Sequence, residues 1–496
     1  MSTPHPARRL GSALRDLARA AFTLDTRSLA LYRMAVGAIL VADCLLRTRD
    51  VSMMLGPEGV FPPGVLRRFN GDATLWSVSL LCDQAWWGAV VLAAEGVAGA
   101  CLIGGCATRA ATITAWVALV SILRRTSPAT NAGDAWLACQ LFWAMFLPWA
   151  ATWSWDARRR AQRPVDAGPS ASAVCTVATA ALVLQVVAVY LGAGLAKLND
   201  SWFSGAALAR ALSVHDHGTP LGMLVSRAPW LTRPLTWAVV VFEVAGPVAL
   251  LLWPRPRLRA LIAVTFMIFH ALIWLTMSIG LFAAIGIASW LPLLPGGLWG
   301  RSDEAATPLR LGRAAASCCA VALMLALGSF VCCSGLRPGT MPRPLAAAVN
   351  LLGLSQEWRM FGEVPPQEQW IYGRAELADG RVVDLLRGGR PLQADRPAGG
   401  FTSLEHHRWH KFFWVLPRPH VRVFAAPTAA ALARRWNEGH AAEEQVRSLE
   451  LRYAQETITG ADDIRREEVL ATWPPRTAPG EGNLDRLLRS AADPAL

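Results

Sequence analysis

The stretch AGLAKLNDSW, residues 193–202, contains a lysine in a chain that otherwise relies on arginine. Of 48 basic residues, only Lys197 and Lys411 are lysines. An arginine guanidinium is effectively never deprotonated in proteins, whereas a lysine buried among apolar groups can lose its proton and act as a general base. At the end of an apolar run, a lysine can also simply extend its ammonium group to the membrane surface. The use of arginine almost everywhere else favours the chemical interpretation of Lys197.

Other side chains could share this chemistry. Tyr190 lies seven residues before Lys197 and Gly194 three before it, so all three lie on one face of a helix. Gly192 and Gly194 remove bulk there and allow a ligand or another helix to approach. Glu243 lies in the middle of the apolar run VVVFEVAGP, which is the most costly place for a carboxylate and predicts that it lines a polar cavity. His270, in IFHALIW, is either an active group or a packed histidine.

Three further carboxylates fall in or beside apolar runs, and each has a structural interpretation. We expect Asp43 to pair with a neighbouring arginine and Glu95 to bond a polar group across a helix interface. Asp134 lies at the start of a run, where a carboxylate stabilises a helix N-terminus.

The composition is that of a membrane protein. Hydrophobic residues make up 53% of the 496-residue chain, charged residues only 17%, and the mean hydropathy is +0.32. Soluble proteins usually carry about 25% charged residues. The net charge of +12 therefore does not indicate nucleic-acid binding, because arginines at the ends of membrane segments account for much of it. We expect membrane lipid as a partner and no nucleic acid.

Apolar stretches near the length that crosses a bilayer recur through the first two thirds of the chain. They predict eight or nine spans, at residues 28–47, 85–105, 109–124, 133–152, 171–197, 236–253, 258–278, 280–296 and 314–334. Arginines cluster in the N-terminal arm and after the fourth, sixth and eighth spans, which predicts a cytoplasmic N-terminus in the inner membrane of the cell. With nine spans, Lys197 and the C-terminal domain then face outward. The lysine-poor, arginine-rich composition is typical of a bacterium of high GC content.

The sequence predicts an all-α polytopic membrane domain followed by a small α+β extramembrane domain. Its parts are an amphipathic N-terminal arm, the transmembrane domain, an extracytoplasmic domain and a loose C-terminal tail, at residues 1–27, 28–335, 336–475 and 476–496. In the α+β domain we predict a hairpin over residues 370–386 and helices at 404–415 and 428–438. Residues 446–458 fit either a strand or a helix. The long loop after the first span, rich in Gly and Pro, is predicted to be a turn region rather than a helix.

Several segments together resemble a known family. The pattern Tyr-x-x-Ala-Gly-x-x-Lys-Leu from Tyr190 to Leu198, followed by Trp202, is similar to the segment of vitamin K-dependent γ-glutamyl carboxylases that carries the catalytic lysine. Residues 25–33 resemble the opening of the wider horizontally transferred transmembrane (HTTM) family, and GPEGVFP at 56–62 resembles its first outer loop. Asn131 with Asp134, and the stretch SIGLF at 278–282, fit its later spans. The resemblance covers about residues 22–335.

This resemblance implies a reaction. In the carboxylases a lysine deprotonates reduced vitamin K, oxygen converts the quinol into a strong base and finally an epoxide, and CO2 adds to the glutamate that this base has deprotonated. Lys197 would be the lysine, with a reduced naphthoquinone of the vitamin K type as cofactor and no metal. The implied catalytic group is Lys197, Asn131 and His270, and the implied cofactor-binding group is Tyr190, Gly194, Trp202 and Glu243.

Two departures from the family keep a second function open. The carboxylases have a functional histidine directly after the asparagine that matches Asn131, and this chain has Ala132. The large luminal portion that binds a propeptide is also replaced by about 160 residues here. The alternative is a non-catalytic or accessory protein that binds a secreted peptide or helps its maturation. The motif HHRWH at 406–410, expected on an exposed helix, would then be a partner surface. A transporter ranks last because inverted repeats are not evident.

Overall fold

The computed structural model describes residues 6–71, 76–162, 172–213, 217–300, 312–334, 339–364, 367–397, 404, 406–457 and 465–475. The predicted tail at 476–496 lies outside the described residues, as do His215 and Asp216 in the loop after Lys197. The helices of the first part are α1 Pro6–Phe22, α2 Thr26–Arg47, α3 Val51–Leu55, α4 Pro63–Asn70, α5 Ala85–Gly104, α6 Thr108–Arg125, α7 Ala132–Ala144, α8 Trp155–Ala161, α9 Val177–Ala196, α10 Asp200–Phe203, α11 Ala207–Ser213, α12 Pro220–Ser226, α13 Pro229–Leu252, α14 Pro256–Thr276, α15 Phe282–Trp290, α16 Arg313–Ser334 and α17 Arg343–Leu352. Two short strands, β1 Leu24–Asp25 and β2 Ala173–Val174, pair antiparallel beside α1.

Within the described residues, six helices are long and apolar enough to cross a membrane, which confirms a multi-pass membrane architecture. They are Thr26–Leu55, which includes α2 and α3, and α5, α9, α13, α14 and α16. The other predicted spans correspond to the shorter or less apolar helices α6, α7 and α15. The predicted number of eight or nine spans therefore stays a prediction.

Three boundaries differ from the sequence prediction. The span expected at 133–152 is helical only as far as Ala144, and turns follow it around Pro148, which has no N–H to continue a helix. The span expected from 171 begins at Val177, because Thr176 caps the helix by accepting from the Thr179 amide. The first long loop, expected to lack helix, contains α4, which has Pro63 in its first turn.

Arginine contacts define two ends of the bundle. At the α1 end, Arg259 at the start of α14 donates to the carbonyls of Thr23 and Leu293. At the other end, Arg125 at the close of α6 donates to the carbonyl of Leu55. Successive long helices run between these ends in alternating directions, and the C-terminal domain lies at the end opposite α1, where it also contacts Asp43 and Asp134.

Helix α9 is the central element of the bundle. It packs against α7, α13 and α16, and most of its residues are buried. The outward faces of α13, α14 and α16 instead expose large apolar side chains such as Val241, Leu261 and Val331, each at least 63% exposed. A surface of this kind is expected where lipid replaces water as the solvent. The arrangement places Lys197, at the end of α9, within the bundle rather than on its perimeter.

The C-terminal domain is α+β, as predicted. Its five-stranded antiparallel sheet has the order β5–β4–β3–β6–β7, and helices α18 and α19 pack against it. These elements are β3 Gln367–Leu377, β4 Val382–Asp384, β5 Arg390–Pro391, α18 His407–Val415, α19 Ala425–Gly439, β6 Val446–Thr457 and β7 Arg465–Trp473. The predicted hairpin is β3–β4, and the ambiguous segment at 446–458 is the strand β6. Strand β7 was not predicted.

Residues before the sheet pack into the bundle. Leu354 and Trp358 are buried in the same apolar core as α9. Between them, the Gln356 amide donates to Gln185 of α9 at 2.9 Å. The chain thus re-enters the bundle after α17 and before the sheet begins at Gln367. The predicted domain boundary at 336 stays a prediction.

A cluster of buried charges joins the C-terminal domain to the bundle. Arg408 of α18 lies between Asp43 of α2 and Asp134 of α7, and its two terminal nitrogens are 3.0 and 3.1 Å from the Asp134 oxygens. Burial opposes the charge on Arg408, but Asp134 and Asp43 raise the pKa of its guanidinium. Arg47 donates to Asp43 at 2.7 Å, which confirms the predicted pairing of Asp43 with a neighbouring arginine.

Glu95 differs from the expectation. It is fully buried beside this cluster, and neither of its carboxyl oxygens has a hydrogen-bond partner among the described residues. Arg408 and the Nε of Arg47 are directed at Asp43 and Asp134 instead.

Replacing Arg408→Met should destabilise the whole chain, because it leaves Arg47 as the only nearby cation of the described residues for the two buried carboxylates of Asp43 and Asp134. Breaking a buried pair in this way typically costs about 3–5 kcal/mol. Thermal unfolding in detergent should show a large fall in the melting temperature. Arg447→Met, at an exposed position of β6, is the matched control and should unfold like the wild type. Equal melting temperatures for the two variants would show that the cluster does not hold the domains together.

Candidate functional site

Lys197 is buried at the C-terminus of α9, with 3% of its surface exposed. Its Nζ lies 2.7 Å from Oε2 of Glu243 and donates to the carbonyls of Ala193 and Met360 at 3.2 and 3.0 Å. The indole of Trp202 lies 5.2 Å from the same nitrogen, within the range of a cation–π contact. Lys197 is therefore not extended to the membrane surface, because its ammonium group is held by an ion pair inside the protein.

Gly194 allows the two helices of this ion pair to meet. A Cβ at position 194 would lie 2.8 Å from Val244 and 3.2 Å from the Cβ of Glu243, closer than side chains normally approach. Gly192 likewise allows close packing of Trp358, because a Cβ at position 192 would lie 2.9 Å from the Cβ of Trp358. The expected open face of α9 thus serves helix packing, and Glu243 meets Lys197 directly.

Tyr190 belongs to a neighbouring aromatic cluster. Its hydroxyl lies 2.6 Å from Nε2 of His270 and accepts from the Trp290 indole at 2.7 Å. Because the hydroxyl accepts from Trp290, its own proton is free to be donated to His270. Trp136 of α7 packs edge-on against Tyr190 and beside His270. Nδ1 of His270 has no hydrogen-bond partner among the described residues, and the ring edge at that nitrogen lies against Gly286.

The predicted site residues thus fall into three groups. Lys197, Glu243, Gly194 and Trp202 meet at the end of α9, and Tyr190 and His270 form the aromatic cluster about two turns deeper on the same helix face. Asn131 is placed differently: its side chain caps α7 by accepting from the Asp134 amide at 3.0 Å, while Asp134 accepts from the Asn131 amide. This capping box confirms the role predicted for Asp134 at a helix N-terminus.

Sequence reasoning missed the segment that covers this site. The carbonyl of Met360 accepts from Lys197, the carbonyl of Phe361 accepts from the Trp202 indole at 2.9 Å, and that of Gly362 accepts from Asn199. A cavity of about 380 Å³ lies beyond Phe361, between α11 and the C-terminal sheet. Backbone carbonyls leave no mark in a sequence, so only the conspicuous Trp358 nearby could have indicated a buried segment.

The expectation of an exposed HHRWH surface is wrong. His406, Trp409 and His410 are nearly buried, because the motif faces both the bundle and the C-terminal core. His406 contacts Asp50, and His407 packs against Gly280. Burial and the neighbouring Arg408 lower the pKa of His407 to about 3, and burial lowers the pKa of His410 to about 4. Among the described residues, no three His, Cys, Asp or Glu side chains group as metal ligands would.

The second lysine has a different environment from Lys197. Nζ of Lys411 lies 4.6 Å from the ring centroid of Trp414, and no carboxylate of the described residues forms an ion pair with it. Burial, reinforced by Arg418, lowers the pKa of Lys411 to about 8. Lys411 therefore offers a matched comparison for Lys197: it is half-buried and has no ion-pair partner among the described residues.

Residues 73–294 match the family model of the HTTM domain. This part of the chain, which contains Lys197, Glu243 and His270, is therefore similar to HTTM domains, as the sequence resemblance predicted. No curated protein sequence and no solved structure matches the chain.

Gly194→Val should separate α9 from α13 and lengthen the Lys197–Glu243 contact. Inserting bulk at such a close approach usually costs about 1–3 kcal/mol, and weakening the ion pair adds to this, so the melting temperature should fall clearly. Gly64→Ala is the control, because a Cβ there meets nothing within 4 Å. If Gly194→Val unfolds like Gly64→Ala, the close approach of the two helices is not as described.

Proposed function

We propose that the chain is a vitamin K-dependent carboxylase-like membrane enzyme that uses a reduced quinone, O2 and CO2, with Lys197 as the base. The observation that carries the proposal is the buried Lys197–Glu243 pair inside a region similar to HTTM domains. An ionisable pair at membrane depth is costly and usually marks function. Lysine at this position, in a chain that otherwise uses arginine, adds support because only lysine can give up its proton.

The pair has the composition of a proton-transfer site. In the resting ion pair the ammonium of Lys197 is 2.7 Å from Glu243, so a proton can pass to the carboxylate and leave a neutral amine beside a neutral acid. A low-dielectric surrounding makes the neutral pair accessible because it removes the solvation that favours both charges. The amine can then accept a proton from an acidic hydroxyl. Glu243 is thus proposed as the proton acceptor that frees Lys197.

The surrounding groups fit a flat hydroxyl compound that is soluble in lipid. Trp202 lies 5.2 Å from Lys197, and Tyr190 with Trp136 provides further aromatic surface in the same part of the bundle. Lys197, Trp202 and Glu243 would hold a reduced naphthoquinone, which, with O2, supplies the strong base of the carboxylase reaction. The Tyr190–His270 pair would orient the site, and the covering segment at 360–362 would exclude water from it.

We also propose the orientation. The C-terminal domain lies at the bundle end opposite α1, and the arginine-rich N-terminal arm is typical of a cytoplasmic segment. In this arrangement, in the inner membrane of a bacterium, the C-terminal domain faces outward and a secreted peptide is the expected substrate. The alternative, an accessory protein that binds a secreted peptide, is less well supported, because the HHRWH motif expected to bind the peptide is buried.

The test uses the full chain in lipid nanodiscs with a reduced naphthoquinone, O2, labelled bicarbonate and a glutamate-rich peptide. The wild type should form quinone epoxide and fix label. Lys197→Met should lose at least about a hundredfold in rate, the usual contribution of a general base, and Glu243→Gln should lose activity with it. Lys411→Met, which removes the other lysine of the chain, should keep the wild-type rate.

An active Lys197→Met variant would contradict the proposal. So would a wild type that forms neither epoxide nor fixed label, and co-purification of a secreted peptide with such an inactive protein would establish the accessory role.

A further inference from the structure

A second cavity, of about 470 Å³, lies entirely within the C-terminal domain. It is formed by the turn after β4, by α18 and by α19. We name it the arginine pocket. Its polar lining is Arg387, Arg390, Arg435 and His440, and its main aromatic lining is Trp409 and Trp436. It is separate from the Lys197 site and plays no part in the proposed reaction.

The charged side chains of the described residues that line the arginine pocket are all positive. Three guanidinium groups line it, and the described residues that line it include no carboxylate. Arg387 contacts Asp384, and Arg435 lies 3.5 Å from Asp50, so two of the three are partly neutralised from outside the cavity. Arg390 is exposed, and among the described residues none forms an ion pair with it. The pocket therefore presents net positive charge to whatever enters it.

The floor of the arginine pocket is flat and apolar. The rings of Trp436 and His440 are stacked with centroids 3.8 Å apart and 7° between their planes. Nδ1 of His440 donates to the Trp436 carbonyl at 2.7 Å, which leaves Nε2 available to a ligand. Gly389, at φ +74°, brings the turn directly onto the Trp436 ring, where any side chain would overlap the indole. An apolar ring or chain can pack on this surface, while an acidic group meets the guanidinium groups.

One side of the arginine pocket lies next to the end of the apolar helix α2. Arg435 contacts Asp50, which follows α2 directly, and Leu45 of α2 is 63% exposed on the outside of the bundle. Five residues of helix span about 7.5 Å. Arg435, which lines the pocket, is therefore close to the outermost apolar side chains of α2.

We infer that the arginine pocket binds an anionic amphiphile, a molecule with an acidic head and an apolar body. The guanidinium groups take the head, since they match carboxylate, sulfonate or phosphate in geometry and charge. The Trp436–His440 stack and Leu432 take the body. The same chemistry is offered by an anionic bilayer lipid and by a soluble aromatic acid.

The experiment measures binding of 1-naphthalenesulfonate to the full chain in phosphatidylcholine nanodiscs by isothermal titration calorimetry. We expect saturable binding that is weakened about three- to tenfold by Arg390→Gln, as removal of one charge-assisted contact predicts. Arg447→Gln, an exposed arginine on β6 away from the pocket, should bind like the wild type. The neutral analogue 2-naphthalenemethanol should bind more weakly and be insensitive to Arg390→Gln.

A second arm identifies the source of the ligand. In nanodiscs that contain phosphatidylglycerol, loss of naphthalenesulfonate binding shows that the lipid headgroup occupies the pocket, and unchanged binding assigns the pocket to a soluble acid. Absence of saturable binding in phosphatidylcholine nanodiscs, or equal binding by the wild type and Arg390→Gln, overturns the inference. Neither result depends on carboxylase activity.

Discussion

Charge buried inside this bundle has to be neutralised by partners on other elements, and this requirement decides which elements meet. At Lys197, helices α9 and α13 meet the segment at 360–362. At Arg408, helices α2, α7 and α18 meet. A buried pair adds little net stability over apolar packing, but a buried charge without its partner costs several kcal/mol, so wrong arrangements are penalised strongly. The two clusters act at the same end of the bundle. They are the places where the C-terminal domain and its leading segment are joined to the membrane helices.

The two clusters differ in chemistry, and this difference separates structure from function. The Arg408 cluster contains a cation that never deprotonates, held by two carboxylates and supported by Arg47. It can only be structural. The Lys197 cluster contains one cation that can deprotonate and one carboxylate that can receive the proton, beside aromatic side chains and under the segment at 360–362. Of the two clusters, only the one that contains the proposed base, Lys197, can exchange a proton.

The sequence predicted much of the membrane domain and little of how its parts meet. Apolar runs located the long helices, the β3–β4 hairpin followed from its turn, and the rarity of lysine singled out Lys197. The partners were not predictable, because Asp43 and Arg408 are 365 residues apart and no local pattern connects them. Glu243 was recognised as costly in mid-span, but its pairing with Lys197 depends on the helix approach at Gly194. The HHRWH motif was misplaced for the same reason: its burial is decided by tertiary packing on both sides of α18 rather than by its own polarity.

The central claim is that Lys197 and Glu243 neutralise each other inside the bundle, and a double-mutant cycle on the free energy of unfolding tests it most directly. Lys197→Met and Glu243→Leu each leave one buried charge unpaired and should each cost about 3–5 kcal/mol. The double variant removes both charges. Its loss of unfolding free energy should therefore be smaller than the sum of the two single losses, by a coupling energy above about 1 kcal/mol. Additive single losses would contradict the account, because they would show that the two groups do not interact in the folded protein.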